Sequence, residues 1–107
     1  MRQINLIEAL KKLFGINQVD LAQLIKNGAT IIDVRSKTEF ATGHSKGAIN
    51  IPLEQIGSDI ERLKKHNHII VCCRSGNRSG MAQRTLKAKG FGNVTNGGSW
   101  QNVNQYI

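Results

Sequence analysis

Cys73-Arg74-Ser75-Gly76-Asn77-Arg78-Ser79 are the residues of this chain whose types and spacing point to chemistry. They follow the apolar run Ile69-Ile70-Val71-Cys72 and precede a helical stretch from Gly80 to Lys89. A cysteine therefore stands at the end of a strand, and a short loop leads from it into a helix. The first N–H groups of a helix lack internal partners and face whatever precedes them. They bring a partial positive charge of about half a unit. Arg74 and Arg78 add full charges. All of these lower a thiol pKa from its free value of about 8.5, so Cys73 is expected to be a nucleophilic thiolate. Gly76 lets the loop turn its successive N–H groups inward. The same cup would hold an anion beside the sulfur and stabilise charge on whatever the sulfur attacks.

Cys72 is expected to differ from its neighbour. If Cys73 faces the loop, strand alternation turns Cys72 into the packing. A competing register starts from Cys72, which is separated from Arg78 by five residues. That is the C-x5-R spacing of the cysteine-dependent protein tyrosine and low-molecular-weight phosphatases. Those enzymes also need a general acid to protonate the leaving oxygen. No aspartate here is obviously placed for it: Asp33 ends an apolar strand and Asp59 begins a helix.

Elements must position that loop, and the chain supplies them in alternation. Val19, Leu21, Ala22, Leu24 and Ile25 give a helix an apolar face, stopped by Gly28. Thr30 to Val34 is a β-branched strand ending in Arg35. Ser36-Lys37-Thr38-Glu39 is a capping box that starts a short helix. A loop from Gly43 to Gly47 leads to a brief strand, Ala48 to Ile51, closed by Pro52. Ser58-Asp59-Ile60-Glu61 is a second capping box, before a helix ending near Lys65. The strand Ile69–Cys72, the cysteine loop and its helix follow, and Gly90 ends that helix. Asn93-Val94-Thr95 is the last strand, and Ser99 caps a final helix with Trp100 and Val103. Ile7, Leu10, Leu13 and Phe14 give the first residues one apolar side, expected to pack on the domain.

Strands alternating with helices pair in parallel through right-handed crossovers. The architecture expected is α/β with three layers: a short, mostly parallel central sheet with helices on both faces. Such sheets place their sites at the carboxyl ends of the strands. Asp33-Val34-Arg35 and Cys73 both lie there.

The bulk numbers agree. One domain fits 107 residues, of which 39% are hydrophobic and 21% charged. No run approaches the length of a membrane span. The start, Met1 to Glu8, lacks the apolar stretch of a signal peptide. The net charge of +8 comes from scattered bases with few aromatics. That pattern favours a solvated surface that attracts small anions over a nucleic-acid face. The two cysteines are adjacent, which disfavours pairing with each other. With His44, His66 and His68 they match no zinc-ligand spacing, and no cofactor is expected. A free thiol suggests a reducing, cytoplasmic compartment.

C-R-S-G-N-R-S behind an I-I-V strand resembles the active-site loop of the rhodanese family. So do Ile32-Asp33-Val34-Arg35, Glu39-Phe40, Gly43-His44, Gly47-Ala48 and Asn50-Ile51-Pro52 upstream. Ala82, Leu86, Gly90, Phe91 and Gly97-Gly98 with Trp100 continue the likeness. It runs from about residue 17 to 100 and resembles the single-domain members. The resemblance makes residues 1–16 a helical extension and 17–107 a rhodanese-like domain. It implies a thiosulfate sulfurtransferase in which Cys73 is the nucleophile and sulfur carrier. The N–H groups from Arg74 through Ser75, Gly76, Asn77 and Arg78 to Ser79 would cradle a persulfide. Arg74, with Arg78 as a second cation, would bind the small anionic sulfur donor. Cyanide, a thiol or a sulfur-accepting protein would be the acceptor. Asp33 and Arg35 match the family's D-x-R, in a supporting role whose bland reading is a structural ion pair. Glu39 and His44 are expected to be a cap and a loop hydrogen-bonder. Ser45 departs from the apolar residue usual there and puts the packing of that loop in question. A module that only carries or senses sulfur is the alternative.

Overall fold

A computed structural model describes residues 20–107. Among them four strands form: β1 (Thr30–Asp33), β2 (Ile49–Asn50), β3 (Ile69–Cys73) and β4 (Val94–Ser99). All pair in parallel, in the order β2-β1-β3-β4. Parallel neighbours need crossover connections. Helix α1 (Leu21–Lys26) precedes β1, and α2 (Lys37–Ala41) joins β1 to β2. A 3-10 turn (Leu53–Gln55) and α3 (Ile60–Leu63) join β2 to β3. Helix α4 (Asn77–Ala88) joins β3 to β4, and α5 (Trp100–Asn104) follows.

Every residue of β3 is buried, and its alternation divides the core into two. Ile69, Val71 and Cys73 face Leu63 of α3, Ala82 and Leu86 of α4, and Phe91. Ile70 and Cys72 face Leu21 of α1 and Val103 of α5, with Trp100 against them. Each buried aliphatic side chain contributes about 1.5–3 kcal/mol. This is the expected three-layer α/β architecture.

Local chemistry sets the helix starts. Asp20 accepts from the Gln23 N–H at 3.1 Å and caps α1. Ser36 and Glu39 form the expected capping box on α2, and Ser99 accepts from the Asn102 N–H at 3.0 Å. The second capping box does not form. Ser58 Oγ donates to the Gln55 carbonyl at 2.9 Å, closing the 3-10 turn instead, and α3 is only one turn long.

Two boundaries differ from expectation at the site. Helix α4 begins at Asn77 rather than Gly80, because Gly76 adopts the left-handed φ of +101° and serves as its N-cap. Strand β4 runs through both glycines to Ser99 rather than ending at Thr95. Val71 pairs with Asn96 but Cys72 with Gly98, so Gly97 is a bulge. A Cβ at Gly97 would stand 2.5 Å from Val103 Cγ2 and 2.8 Å from Ile70 Cγ2. Only glycine lets α5 seat against β3 there. The helix expected within residues 1–16 lies outside the described residues. Among the described residues no helix is long and apolar enough to cross a membrane.

Candidate active site

Strands β1 and β3 end side by side, with Asp33 opposite Cys72. Cys73 closes β3 on the face that α4 covers and is 1% exposed. The turn at Gly76 brings the chain back over it. The Gly76 N–H donates to Cys73 Sγ at 3.0 Å, and Ser79 Oγ lies 3.4 Å from the same sulfur. Burial pushes the Cys73 thiol up. Hydrogen bonds from the Ser79 hydroxyl and from the backbone of Ser79, Gly76 and Ser75 outweigh that and leave it lowered. Local hydrogen bonds, rather than the two arginine charges emphasised by the sequence, lead the shift.

Cys72 sits on the other face of the sheet, fully buried with Ile70 and Val103. Burial, then the Asp33 carboxylate, push its thiol up to about 12. The C-x5-R register therefore has no sulfur facing the loop. Since the thiolate is the nucleophile, Cys73 alkylation should rise as pH passes its lowered pKa and level off above it. Iodoacetamide labelling followed by peptide mass mapping should show a Cys73 midpoint below about 8.5 and no Cys72 product near neutrality. A Cys73 midpoint at or above the free value overturns the reading.

The loop's other side chains separate into two groups. Arg74, Ser75 and Asn77 are exposed at the rim. Among the described residues no carboxylate lies within ion-pair distance of Arg74. Arg78 is held away by Glu39, donating to Oε1 at 2.7 Å and Oε2 at 2.9 Å. That two-pronged bond is the main reason the Glu39 carboxyl is lowered to about 2. Glu39 thus ties α4 to α2 as well as capping α2, a link the sequence reading missed.

Asp33 and Arg35 are buried and joined by four hydrogen bonds, three from the guanidinium and one from the Arg35 N–H, the shortest 2.7 Å from Arg35 Nη2 to Asp33 Oδ2. Arg35 Nη2 also donates to the Gly43 carbonyl at 2.7 Å, and its Cζ lies 5.2 Å from the Trp100 ring centroid. Every hydrogen bond of this pair stays within the scaffold. His44 Nδ1 bonds the Phe40 carbonyl at 2.8 Å, and its ring stacks on Phe40. Ser45 is buried, but its hydroxyl donates to the Trp100 carbonyl at 2.8 Å. The polar departure is satisfied, and the loop packs.

One site residue escaped the sequence reading. Asn96 Oδ1 accepts from Ser79 Oγ at 2.7 Å and from the Gly98 N–H at 3.0 Å. Its Nδ2 donates to the Gly76 carbonyl at 3.1 Å. A polar residue between the β-branched pair Val94-Thr95 and Gly97-Gly98 was the available signal. Among the described residues no cluster of three or more histidines, cysteines or carboxylates could hold a metal.

The chain is similar to known proteins over most of its length. A model of the rhodanese-like domain matches residues 17–104. The thiosulfate sulfurtransferase PspE of Escherichia coli is 34% identical over 74 residues, covering 67% of this chain and 71% of its own. YrkF of Bacillus subtilis, a candidate sulfur carrier protein, is 39% identical over 66 residues, 62% of this chain. The chain spans only 36% of that protein and 46% of the senescence-associated protein DIN1 of Raphanus sativus. The human single-domain sulfurtransferase TSTD1 superposes with a TM-score of 0.66 at 26% identity, over 77% of this chain and 87% of its own. A rhodanese with anions from E. coli superposes with a TM-score of 0.65 at 31% identity, over 70% of this chain and 91% of its own.

Proposed function

Because the chain belongs to the rhodanese-like family, we propose that it transfers sulfane sulfur through a persulfide on Cys73, with thiosulfate as a donor. One observation carries the reading. The Cys73 sulfur closes a strand directly beneath the Gly76 N–H at 3.0 Å, with the Ser79 hydroxyl beside it. A thiolate held there is ready to attack, and the same donors suit the negative charge of a persulfide.

The two half-reactions balance without an external oxidant. The Cys73 thiolate attacks the outer sulfur of thiosulfate. A new S–S bond forms to Cys73, the old one breaks, and its electron pair leaves on sulfite. Cyanide or a thiolate then attacks the outer sulfur of the persulfide. The Cys73 thiolate returns, and the product is thiocyanate or a new persulfide. This is covalent catalysis in two displacements. Incubation with thiosulfate, followed by intact mass measurement, should show one added sulfur that cyanide removes. An unchanged mass overturns the proposal.

Arg74 is the cation at the rim best placed to draw in the donor. Its charge is exposed, so Arg74→Ala should raise the KM for thiosulfate only about two- to fivefold, the range of an exposed pair worth about 0.5–1 kcal/mol. The kcat should hold. Arg78→Ala should change KM less, since Glu39 already engages that guanidinium. Steady-state kinetics over a range of salt checks both, and added salt should weaken the wild type in the same direction. Equal KM values in all three proteins would leave donor binding to the backbone N–H groups.

A sulfur-carrier role is the second reading, favoured by the likeness to YrkF. A carrier would load sulfur yet yield it slowly to cyanide and rapidly to an accepting protein. Either role suits a reducing, cytoplasmic setting, in which the two free thiols stay reduced.

A further inference from the structure

We propose that Asn96 is a positioning residue for Cys73. Its carboxamide holds the single hydroxyl hydrogen of Ser79 while the sulfur keeps its own proton, and yields that hydrogen to the sulfur once the proton leaves. The inference rests on reading Cys73 as the nucleophile of the proposed transfer, and it names the group that prepares the sulfur.

Register brings Asn96 there. Asn96 pairs with Val71, so both point to the face of the sheet that carries Cys73 and α4. The bulge at Gly97 then leaves the Gly98 N–H aimed back at Asn96 Oδ1, at 3.0 Å. Ser79, fully buried in the first turn of α4, lies between this oxygen at 2.7 Å and the sulfur at 3.4 Å.

Counting hydrogens gives the mechanism. A serine hydroxyl has one hydrogen to donate and two lone pairs to accept. With Cys73 as a thiol, S–H donates to Ser79 Oγ, and Ser79 donates to Asn96. A thiolate has no hydrogen and only accepts. Ser79 must then turn its hydrogen to the sulfur. Asn96 Oδ1 loses that bond but keeps the Gly98 N–H, so no buried acceptor is left bare. The exchange moves no heavy atom. Meanwhile Asn96 Nδ2 holds the Gly76 carbonyl at 3.1 Å, fixing the loop residue whose N–H also reaches the sulfur. One amide therefore steadies two donors of the cup.

Among the described residues, the charged groups near the cup are few. They are Arg74 in the loop, Arg78 with its partner Glu39, and the Asp33–Arg35 pair behind Cys72. Arg84 of α4 borders Gly80 together with the Asn96 amide. Strand β4 and helix α5 bring no ionisable side chain.

A double-mutant cycle on the full chain tests the proposal, with the pH profile of Cys73 alkylation by iodoacetamide as the readout. Asn96→Asp keeps the shape but grips the Ser79 hydrogen, loses the Nδ2 bond to Gly76 and adds a negative charge near the sulfur, whose direct repulsion is the part that persists without Ser79. It should raise the alkylation midpoint and cut the rate at neutral pH about tenfold, one pKa unit, while the plateau at high pH is retained. Ser79→Ala alone should also raise the midpoint. In the Ser79→Ala background the effect of Asn96→Asp should fall to less than half. Additive shifts, or an unmoved midpoint in Asn96→Asp, overturn the proposal. If Asn96→Asp shows no cooperative melting transition, Asn96→Ala takes its place. There Ser79→Ala should raise the midpoint more than it does in the wild type, because the hydroxyl is no longer shared; additivity again overturns it. Alkylation needs no sulfur donor. A wild type that takes up no sulfur from thiosulfate would sink the transfer reading, and the cycle would still decide the role of Asn96.

Discussion

Cys73→Ser is expected to take up no sulfur from thiosulfate, whereas Cys72→Ser should load as the wild type does. The two cysteines are neighbours in sequence, but alternation along β3 puts them on opposite faces of the sheet. Cys73 meets the Gly76 N–H and the Ser79 hydroxyl, which favour its thiolate. Cys72 meets aliphatic side chains, and burial keeps it protonated far above neutral pH. A serine hydroxyl at position 73 has neither the acidity nor the nucleophilicity to replace the thiolate. Where one nucleophile carries the covalent step, its loss costs on the order of a millionfold. Intact mass after thiosulfate treatment, with and without cyanide, reads the result directly. Cys72→Ser should show its cost elsewhere, as a loss of about 1–3 kcal/mol for a hydroxyl buried among apolar groups. The reverse pattern, with Cys72 indispensable and Cys73 replaceable, would overturn the assignment.

Much of this site was legible because it depends on local rules. The β-branched runs at Thr30 and Ile69 had to be strands. Glycine had to turn the chain after Cys73. Ser36 with Glu39 had to start a helix, and does. What stayed hidden depends on contacts between distant segments. Nothing near Arg78 in the chain says that Glu39, 39 residues earlier, captures it. Nor does Asn96 announce itself, because the bulge that aims it arises only when β4 pairs with β3 and α5 presses on Gly97. The second capping box failed for a local reason instead: Ser58 follows the 3-10 turn by three residues, and the Gln55 carbonyl at the end of that turn takes its hydroxyl. A four-residue motif predicts a cap only when no nearer acceptor competes.

Asp33→Ala should be the most destabilising single change at the strand ends. It leaves the Arg35 guanidinium, whose side chain is 5% exposed, without its carboxylate. Removing one partner of a buried pair costs about 3–5 kcal/mol, because the remaining charge is stranded. Domains of this size have only about 5–15 kcal/mol in hand. Urea unfolding should show a midpoint lowered to match, with an unchanged slope. The damage should spread to the link between β1 and β2. Arg35 holds the Gly43 carbonyl and lies beside Trp100, and Asn50 Nδ2 donates to the carbonyls of both Asp33 and Arg35. A comparison separates the charge from the shape. Asp33→Ala combined with Arg35→Leu removes both charges, and should be more stable than Asp33→Ala alone. If Asp33→Ala costs less than about 1 kcal/mol and instead raises the KM for thiosulfate, the pair is not the scaffold's clamp. Arg35 would then belong with Arg74 among the groups that meet the donor. The bonds of Arg35 argue against that outcome: they run to Asp33, Glu39 and Gly43, with none to the cysteine loop. A guanidinium with these partners and so little exposure has no free edge to offer an anion.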